Sequence, residues 1–329
     1  MIISRTPFRV PLGGGGTDLP FYYTKKGGAL TSASINKYMY IIIQDRNLYN
    51  DFFIRYMKTE IVKHVHEIQH PLVREALNLL NMKDPIQITS VADIPAQTGL
   101  GSSSSFLVGL LHALHAYKGE RVSKRTLADE ATQIQMEILR TPAGLQDQYV
   151  AAFGGLVSMN INKQGKVMIS PLDIPNHHIK ALEKNLVFMY TGINRSADVI
   201  LEAQKKEAES DEEKIEGLTQ IKQIGEEIKK ALENGNLHRF GEWMNIHWQT
   251  KQKLSSKMTN PQINAWYDLA LQNGAIGGKI MGAGGGGFFM FYVDKDKEKF
   301  IQTMTNAGLQ NIDFSFEFDG STIVFNNQD

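Results

Sequence analysis

The chain lacks cysteine and carries no net charge. With no cysteine in 329 residues, disulfide frameworks and thiolate metal sites are excluded. The 35 Lys and Arg are balanced by 35 Asp and Glu, which argues against a dedicated nucleic-acid binder, since such proteins are usually basic. No uninterrupted apolar run approaches about 18 residues, so no segment is predicted to span a membrane. The start, MIISRTPFRVPLGGGG, lacks the apolar run of a signal peptide. We therefore expect a soluble cytoplasmic protein.

The hydrophobic content, 42% of residues, is enough for a substantial core. The length suits one large domain or two ordinary ones. The pattern restarts with the apolar run LVFMYTG at 186–192, after a polar stretch near residue 180. The prediction is therefore an N-terminal domain over residues 1–180 and a C-terminal domain over residues 181–329.

Hydrophobic periodicity predicts a mixture of strands and helices. The predicted strands are 38–45, 52–57, 86–91, 154–161, 166–172, 186–192, 288–293 and 314–325. The predicted helices are 70–80, 103–117, 124–139, 148–153, 236–254, 260–275 and one that ends at 306. Strand 52–57 is expected to pair with 38–45 around a short turn, and 154–161 with 166–172.

Three glycine-rich segments stand far apart in the sequence: RVPLGGGGTD (9–18), PAQTGLGSSSS (95–105) and KIMGAGGGGF (279–288). Clustered glycines let a backbone approach a ligand closely. None of the three satisfies the Walker pattern G-x4-G-K-[ST]. The spacing G-x-G-x-x-G occurs in the third segment, but a strand-like run follows it where a dinucleotide site needs a helix. A nicotinamide-dependent oxidoreductase is therefore disfavoured.

The middle segment has the chemistry of a phosphate site. It follows a predicted strand and opens a predicted helix, whose first N–H groups and dipole attract anions. One serine would be enough to cap that helix, and four exceed that need. Serine hydroxyls can bond phosphate oxygens or ligate Mg²⁺. We interpret the serines as a lining for a triphosphate and its metal; a capped structural helix is the alternative.

These segments resemble the three motifs of the GHMP kinases, the superfamily of galactokinase, homoserine kinase, mevalonate kinase and phosphomevalonate kinase. PAQTGLGSSSS is similar to the loop P-x3-G-L-G-S-S-A-A, with SSSS in place of SSAA, and KIMGAGGGGF to K-x-x-G-A-G-x-G-G. RTPFRVPLGGGGTD resembles the first motif in the form found in kinases of heptose phosphate and fucose. The resemblance implies an α+β fold of two domains, the first like domain 2 of ribosomal protein S5 and the second ferredoxin-like.

The resemblance also implies roles for particular residues. In TPAGLQDQYVAAFGG, Asp147 matches the catalytic aspartate, which would serve as the base for the acceptor hydroxyl. Arg9 matches a basic residue that pairs with that aspartate, and Asp18 one that holds sugar hydroxyls. A helix-capping Asp147, a surface Arg9 and a turn Asp18 are the structural alternatives. Mg²⁺ would be held by Glu137 and by the hydroxyl of Ser102 or Ser103.

The remaining predicted contacts extend these motifs. The residues expected to bind ATP are Pro95, Gly99, Leu100, Gly101, Ser102, Ser103, Ser104 and Ser105. The residues expected to contact the acceptor are Arg5, Gly15, Thr17, Asp18, Gly144, Arg195, Gly282, Gly284 and Gly285. Lys279 opens the third motif, and His247 either borders the sugar pocket or packs in the core.

The implied activity is ATP-dependent phosphorylation of a sugar at its anomeric hydroxyl. By resemblance the acceptor is D-glycero-D-manno-heptose 7-phosphate, converted to the 1,7-bisphosphate in GDP-heptose biosynthesis. A kinase for L-fucose and a non-catalytic sugar sensor of the same fold are the alternatives. A phosphorylated acceptor needs a second cationic site, for which the candidates are Arg5, Lys25, Lys26, Arg140 and Arg195. The expected partners are small molecules, without nucleic acid or membrane, and both a monomer and a homo-oligomer stay open.

Overall fold

The computed structural model describes residues 1–46, 48–194, 197–255 and 257–327, with only the backbone at 209 and 210. The strands in this part of the chain are β1 (Ile2–Gly13), β2 (Gly28–Asp45), β3 (Phe52–Arg55), β4 (Thr59–Val62), β5 (Ile86–Ala92), β6 (Leu156–Ile161), β7 (Val167–Pro171), β8 (Leu186–Tyr190), β9 (Gly277–Ile280), β10 (Phe288–Tyr292), β11 (Gln310–Ile312) and β12 (Thr322–Asn326).

The helices are α1 (Pro20–Lys26), α2 (Pro71–Leu79), α3 (Ser102–Tyr117), α4 (Lys124–Thr132), α5 (Gln146–Phe153), α6 (Asn176–Asn185), α7 (Ala197–Ser210), α8 (Glu212–Glu233), α9 (Leu237–Gln252), α10 (Pro261–Gln272) and α11 (Lys297–Asn306). A 3-10 turn covers Val65–Glu67, and a π-helical segment, Gln133–Ile138, extends α4. None of the described helices is both long and apolar enough to cross a membrane.

The first sheet is built around β2, which is long enough to serve two sets of neighbours. Its first half pairs with β6 and its second half with β5, while β1 runs antiparallel along both halves. The strand order is β12-β1-β2-β5-β3-β4, and β7 extends the branch through β6. β3 lies parallel to β5 and antiparallel to β4, so the predicted pairing of 52–57 with 38–45 is wrong.

The second sheet has four antiparallel strands in the order β11-β8-β10-β9. Numbered in chain order within this sheet, that is 4-1-3-2, the order of a ferredoxin-like sheet. Aromatic side chains of β10 pack against α10 and α11 in a core of their own. The predicted boundary near residue 180 falls within α6, directly before the first strand of this sheet.

The last strand, β12, returns to the first sheet and pairs with β1. A single cut at residue 180 therefore does not separate the two sheets. A polar chain secures the return: Thr6 on β1 and Ser321 share a hydroxyl–hydroxyl bond of 2.8 Å, and the Ser321 hydroxyl lies 2.9 Å from Nδ1 of His112 on α3. These three side chains connect α3 to β1 and to the residue directly before β12.

Burial lowers the pKa of His112 from 6.5 to about 4, with lesser contributions from His115 and Lys124. The unfolded chain therefore takes up this proton at a higher pH than the folded chain does, so stability should fall as the pH drops from about 6.5 toward about 4. We expect His112→Gln to lose less stability than the wild type between pH 7 and pH 5 in urea unfolding. The exposed His177→Gln is the matched control. Equal losses in the wild type and the His112 variant would contradict this assignment.

Candidate active site

All three glycine-rich segments border one cavity of about 970 Å³ between the two sheets. The first segment supplies the turn between β1 and α1, the second the loop between β5 and α3, and the third the loop between β9 and β10. Segments about 270 residues apart in sequence thus contribute to one wall, as the far-separated motifs predict. This cavity is therefore the candidate ligand-binding and active site.

The centre of the cavity is an ion pair between Arg9 and Asp147. Arg9 donates from Nε and Nη2 to the two carboxylate oxygens of Asp147, both at 2.6 Å. Its third donor, Nη1, reaches the carbonyl of Gly99 at 2.5 Å. The Arg9 side chain is 8% exposed and that of Asp147 27% exposed, so the carboxylate still faces the cavity. This bidentate geometry fixes both side chains with little rotational freedom.

Asp18 lies beside this pair, buried at the base of the first glycine-rich turn. Its carboxylate accepts from the backbone N–H groups of Gly16 at 2.9 Å and Gln146 at 3.1 Å. Burial, with a smaller contribution from the Asp147 charge, raises the pKa of Asp18, while these amide bonds lower it. Gly144 is required here, because a Cβ would stand 2.0 Å from the Asp18 carboxylate. Asp18 and Asp147 therefore face one cavity in different environments, and a third carboxylate, Asp198 on α7, also lines it.

The serines of the middle glycine-rich segment (95–105), which we call the serine loop, divide into two pairs with different surroundings. Ser102 and Ser103 begin α3 and line the cavity, with Ser103 exposed. Ser104 is buried and donates to the side-chain oxygen of Gln135 at 3.0 Å. Ser105 is fully buried, lies off the cavity, and donates to the carbonyl of Pro7 at 2.9 Å. The first two hydroxyls are available to a ligand, and the last two fasten the helix.

The second and third glycine-rich segments pack against each other backbone to backbone. A Cβ on Gly282 would lie 2.6 Å from the carbonyl oxygen of Gly99, and one on Gly287 would lie 2.1 Å from that of Thr98. Both glycines have positive φ, of 71° and 82°, which a side chain would also strain. We call this contact the glycine seam, formed by residues 98–99 and 282–287. Through this contact the third glycine-rich segment supports the serine loop, which is the candidate phosphate-binding loop.

Two family models match the chain: that for the GHMP kinases N terminal domain over residues 61–155, and that for the GHMP kinases C terminal over residues 228–309. A D-glycero-alpha-D-manno-heptose 7-phosphate kinase from Campylobacter jejuni is 31% identical and aligns over 97% of each chain. The chain belongs to the GHMP kinase family.

Two further relatives of this GHMP kinase bear on its fold and site. A crystal structure of a D-glycero-D-manno-heptose 1-phosphate kinase from Bacteriodes thetaiotaomicron is similar over 99% of both chains, with a TM-score of 0.82 and 25% identity. An L-fucokinase/L-fucose-1-P guanylyltransferase from Bacteroides fragilis is 26% identical over 92% of this chain and 35% of its own length. The two-domain α+β GHMP kinase fold is thereby confirmed, and the chain is a kinase that uses ATP.

The structure brings most of the predicted site residues of this GHMP kinase into the one cavity. The lining includes Arg9, Gly15, Asp18, Pro95, Gly99, Gly101, Ser102, Ser103, Ser104, Gly144, Asp147 and Gly282. These residues come from four separate stretches of sequence. The structure gives the positions of these residues, and their roles remain predictions.

Several predicted residues lie elsewhere, and their positions have structural reasons. Arg5 stacks over Tyr38 and pairs with Asp319 at 3.7 Å, outside the cavity. Thr17 is buried and bonds the carbonyls of Gly14 and Ala29, so it shapes the first turn.

Three more predicted residues are structural neighbours of the cavity. Leu100 is buried, and its carbonyl accepts from the Arg9 amide at 3.1 Å. Gly284 and Gly285 pack on Met258, whose carbonyl accepts from the Gly285 amide at 2.6 Å. Arg195 lies outside the described residues.

The predicted Mg²⁺ set of Ser102, Ser103 and Glu137 is not assembled. The π-helical segment holds one more residue per turn than an α-helix and so changes which side chains face inward. Gln135 lines the cavity at Ser104, while Glu137 is exposed and off the cavity. Within the described ranges, no three Asp, Glu or His side chains cluster as a metal site. The residues present thus do not fit a glutamate-ligated metal beside the serine loop.

Accordingly, Glu137→Gln is expected to leave the dependence of kcat on Mg²⁺ concentration unchanged. The carboxylate is exposed and is not part of the cavity lining, and surface substitutions of this kind usually have small effects. Titration of initial rate against Mg²⁺ in the wild type and the variant checks this. A marked rise in the Mg²⁺ concentration needed for half-maximal rate would restore Glu137 as a ligand.

Sequence reasoning missed two parts of the cavity wall. One is apolar and aromatic: His70 packs between Tyr56 and Phe106, with ring centroids 4.6 and 4.8 Å away. Tyr56 directly follows β3, His70 directly precedes α2 and Phe106 lies on α3, and no local pattern links those parts of the chain. The other is basic, where Lys251 joins His247 on α9. These two residues are four apart and so share a helix face, which was a signal available in the sequence.

Proposed function

We propose that this enzyme is an ATP-dependent sugar kinase that phosphorylates the C1 hydroxyl of D-glycero-D-manno-heptose 7-phosphate to the 1,7-bisphosphate. The observation that carries the proposal is the Arg9–Asp147 pair, which faces the cavity between the serine loop and buried Asp18. Such a product is suited to GDP-heptose biosynthesis, which would place the enzyme in the cytoplasm. The identities of the relatives support the acceptor class.

The donor half of the cavity suits ATP. Ser102 and Ser103 present hydroxyls and backbone N–H groups at the start of α3, where an anion is favoured. Gly101 lies next to Asp147, and its Cβ would stand 3.3 Å from a carboxylate oxygen of that residue. The aromatic wall containing Phe106, about one helical turn beyond the serines, suits an adenine ring. Phosphates on the loop would thus lie beside the catalytic pair.

The acceptor half suits a sugar hydroxyl. Asp18 can accept bonds from hydroxyl groups that the acceptor brings into the cavity, and Asp147 can take the proton of the attacking hydroxyl. In this step the acceptor oxygen forms a bond to the γ-phosphorus, the bond from that phosphorus to the bridging oxygen breaks, and ADP leaves. Arg9 keeps Asp147 oriented and places positive charge where negative charge develops.

Mg²⁺ stays in the proposal only as a partner of the ATP phosphates. Ser102 and Ser103 offer the hydroxyl oxygens that this cation accepts. No step is assigned to it, because the expected carboxylate ligand is absent from the cavity.

The proposed acceptor is supported by the names of two relatives as well as by the side chains of the cavity. Two relatives are named for heptose and a phosphate, but one name places the phosphate at position 7 and the other at position 1. L-fucose is the main alternative, through the fucokinase relative. The intact Arg9–Asp147 pair argues against a non-catalytic sensor, which has no need of a base.

A panel of acceptors tests this assignment. ADP release would be measured with heptose 7-phosphate, free heptose, L-fucose, galactose and mevalonate, and the product phosphate position determined by NMR. We expect the highest kcat/KM for heptose 7-phosphate and a new phosphate at C1. Free sugars that match or exceed it would reduce the assignment to an anomeric sugar kinase.

A further inference from the structure

Three basic side chains of the C-terminal part of the chain line the cavity. His247 and Lys251 lie on α9, and Lys279 lies on β9, directly before the third glycine-rich segment. We call these three residues the cationic wall. The proposed function assigns them no role, although an acceptor that already carries a phosphate needs a basic site of its own.

Lys279 is the most unusual member of the wall. Its side chain is only 2% exposed, and its ammonium donates to the carbonyl of Leu12 at 2.8 Å. In the described ranges the structure gives it no carboxylate partner within ion-pair distance. Burial lowers its pKa well below the usual value, and the nearby Lys251 and Arg9 charges lower it further. An unpaired buried ammonium costs stability, so its presence points to a ligand that completes it.

His247 adds a second unsatisfied group at the same place. It is 1% exposed, and neither ring nitrogen has a hydrogen-bond partner in the described structure. Burial lowers its pKa well below the usual value, as do the charges of Lys279 and Lys251. Lys251 donates to the carbonyl of Gly282 at 2.6 Å, which holds its stem along the cavity edge.

In the described ranges, none of the three carboxylates that line the cavity is within ion-pair distance of Lys279. Asp147 is paired with Arg9, Asp18 accepts from two backbone N–H groups, and Asp198 lies on α7. Four of the other candidates for a second cationic site do not reach the cavity: Arg5 pairs with Asp319, and Lys25, Lys26 and Arg140 are exposed and absent from the lining. The fifth, Arg195, lies outside the described residues. An oxyanion of charge −2 would give Lys279 a counter-charge and His247 a hydrogen-bond partner.

We propose that His247, Lys251 and Lys279 bind the phosphate group that the acceptor already carries, and thereby select phosphorylated sugars. This inference rests on the proposed function and specifies where its acceptor is recognised. Lys251 bonds Gly282 of the glycine seam, so the wall lies near the serine loop, which is assigned to ATP. The same chemistry could instead hold a phosphate of ATP, so the experiment separates the two sources.

The kinetic test uses the single variants Lys251→Met and Lys279→Met, with Lys253→Met as the control. Lys253 is exposed at the end of the same helix, so that variant removes equal charge outside the cavity. We expect each wall variant to lower the ratio of kcat/KM for heptose 7-phosphate over free heptose by about tenfold to hundredfold, with KM for ATP unchanged. The control should keep the wild-type ratio.

A binding test covers the case in which a wall variant folds poorly. With a non-hydrolysable ATP analogue occupying the serine loop, inorganic phosphate should raise the Tm of the wild type and of Lys253→Met. It should not raise the Tm of a folded Lys251→Met or Lys279→Met protein. Phosphate stabilisation that persists in both wall variants would overturn the inference.

The remaining kinetic outcomes separate the inference from the proposed function. A wild-type preference for the phosphorylated sugar that both variants keep would overturn the wall alone. A rise in KM for ATP without loss of acceptor preference would assign the wall to the donor and overturn the inference. A wild type with no preference for phosphorylated acceptors would contradict the proposed function. The inference about the cationic wall would then be overturned as well.

Discussion

Asp147→Asn is expected to lower kcat by roughly 10²- to 10⁴-fold while the protein keeps its fold and its affinity for ATP. An asparagine amide cannot take the proton of the acceptor hydroxyl. It also turns a donor toward Arg9, so the two bonds of 2.6 Å become at most one. The loss should appear in single-turnover rates at saturating substrates, because the missing step is the chemical one.

The control for this variant is Asp129→Asn. Asp129 lies on α4 and bonds the Tyr149 hydroxyl of α5, so the change removes a carboxylate beside the same helix but outside the cavity. It should turn over at close to the wild-type rate. Thermal shifts with an ATP analogue establish that both variants bind nucleotide. If Asp147→Asn turns over at a near-wild-type rate, Asp147 is not the base.

Arg9→Met should lower kcat by roughly 10²- to 10³-fold, the range typical for the loss of a preorganised charge at a reacting centre. The substitution leaves Asp147 without its partner and close to the Asp18 carboxylate. It also frees the carbonyl of Gly99, which now accepts from Arg9, and so loosens the serine loop. We therefore expect weaker ATP binding together with slower turnover, which distinguishes this variant from Asp147→Asn.

Arg5→Met is the matched control, because it removes an arginine from the same strand. Its guanidinium stacks on Tyr38 outside the cavity, so kcat and KM should stay near the wild-type values. Arg9→Lys provides a graded comparison, since an ammonium keeps the charge but cannot make the bidentate contact. Activity in Arg9→Lys equal to the wild type would show that charge alone suffices and that the fork geometry is dispensable.

The separated glycine-rich segments allowed much of the site to be predicted. Glycines at 14–16, 99–101 and 282–287 mark backbone that turns with positive φ or approaches another backbone closely, and such places cluster at ligand sites. Asp147, between polar neighbours at the start of a helix, was assigned its role by the resemblance to the GHMP kinases. The glycine positions depended on local chemistry that a short window of sequence contains.

Glu137 was predicted as a metal ligand because the resemblance places a glutamate about ten residues before Asp147, and the structure puts its side chain off the cavity. Regular α-helical periodicity was assumed through residue 139, but the helix widens to π geometry at 133–138. That widening places Gln135, not Glu137, at the cavity. The wall residue Lys279 was noticed only as the start of a motif, because its burial depends on strands and helices distant in sequence.

Two strands of the first sheet were also difficult to predict. β1 contains Pro7 and Pro11, which cannot donate to a neighbouring strand and so disfavour a central position. The structure accommodates them with register shifts against β2 at 7–8 and at 11–13. β12 was predicted as part of a longer strand, 314–325, and its return across the chain to β1 could not be inferred from its own residues.

The glycine seam has a consequence for dividing this protein into fragments. A piece ending near residue 180 would contain the serine loop, Arg9 and Asp147, yet it would lack the 282–287 backbone against which Gly99 and Thr98 rest. It would also expose the edge of β1 that β12 covers. Nucleotide affinity in such a piece should return only when the complementary piece is added. The two halves are therefore expected to fold and bind as one cooperative unit, and not as independent domains that can be exchanged.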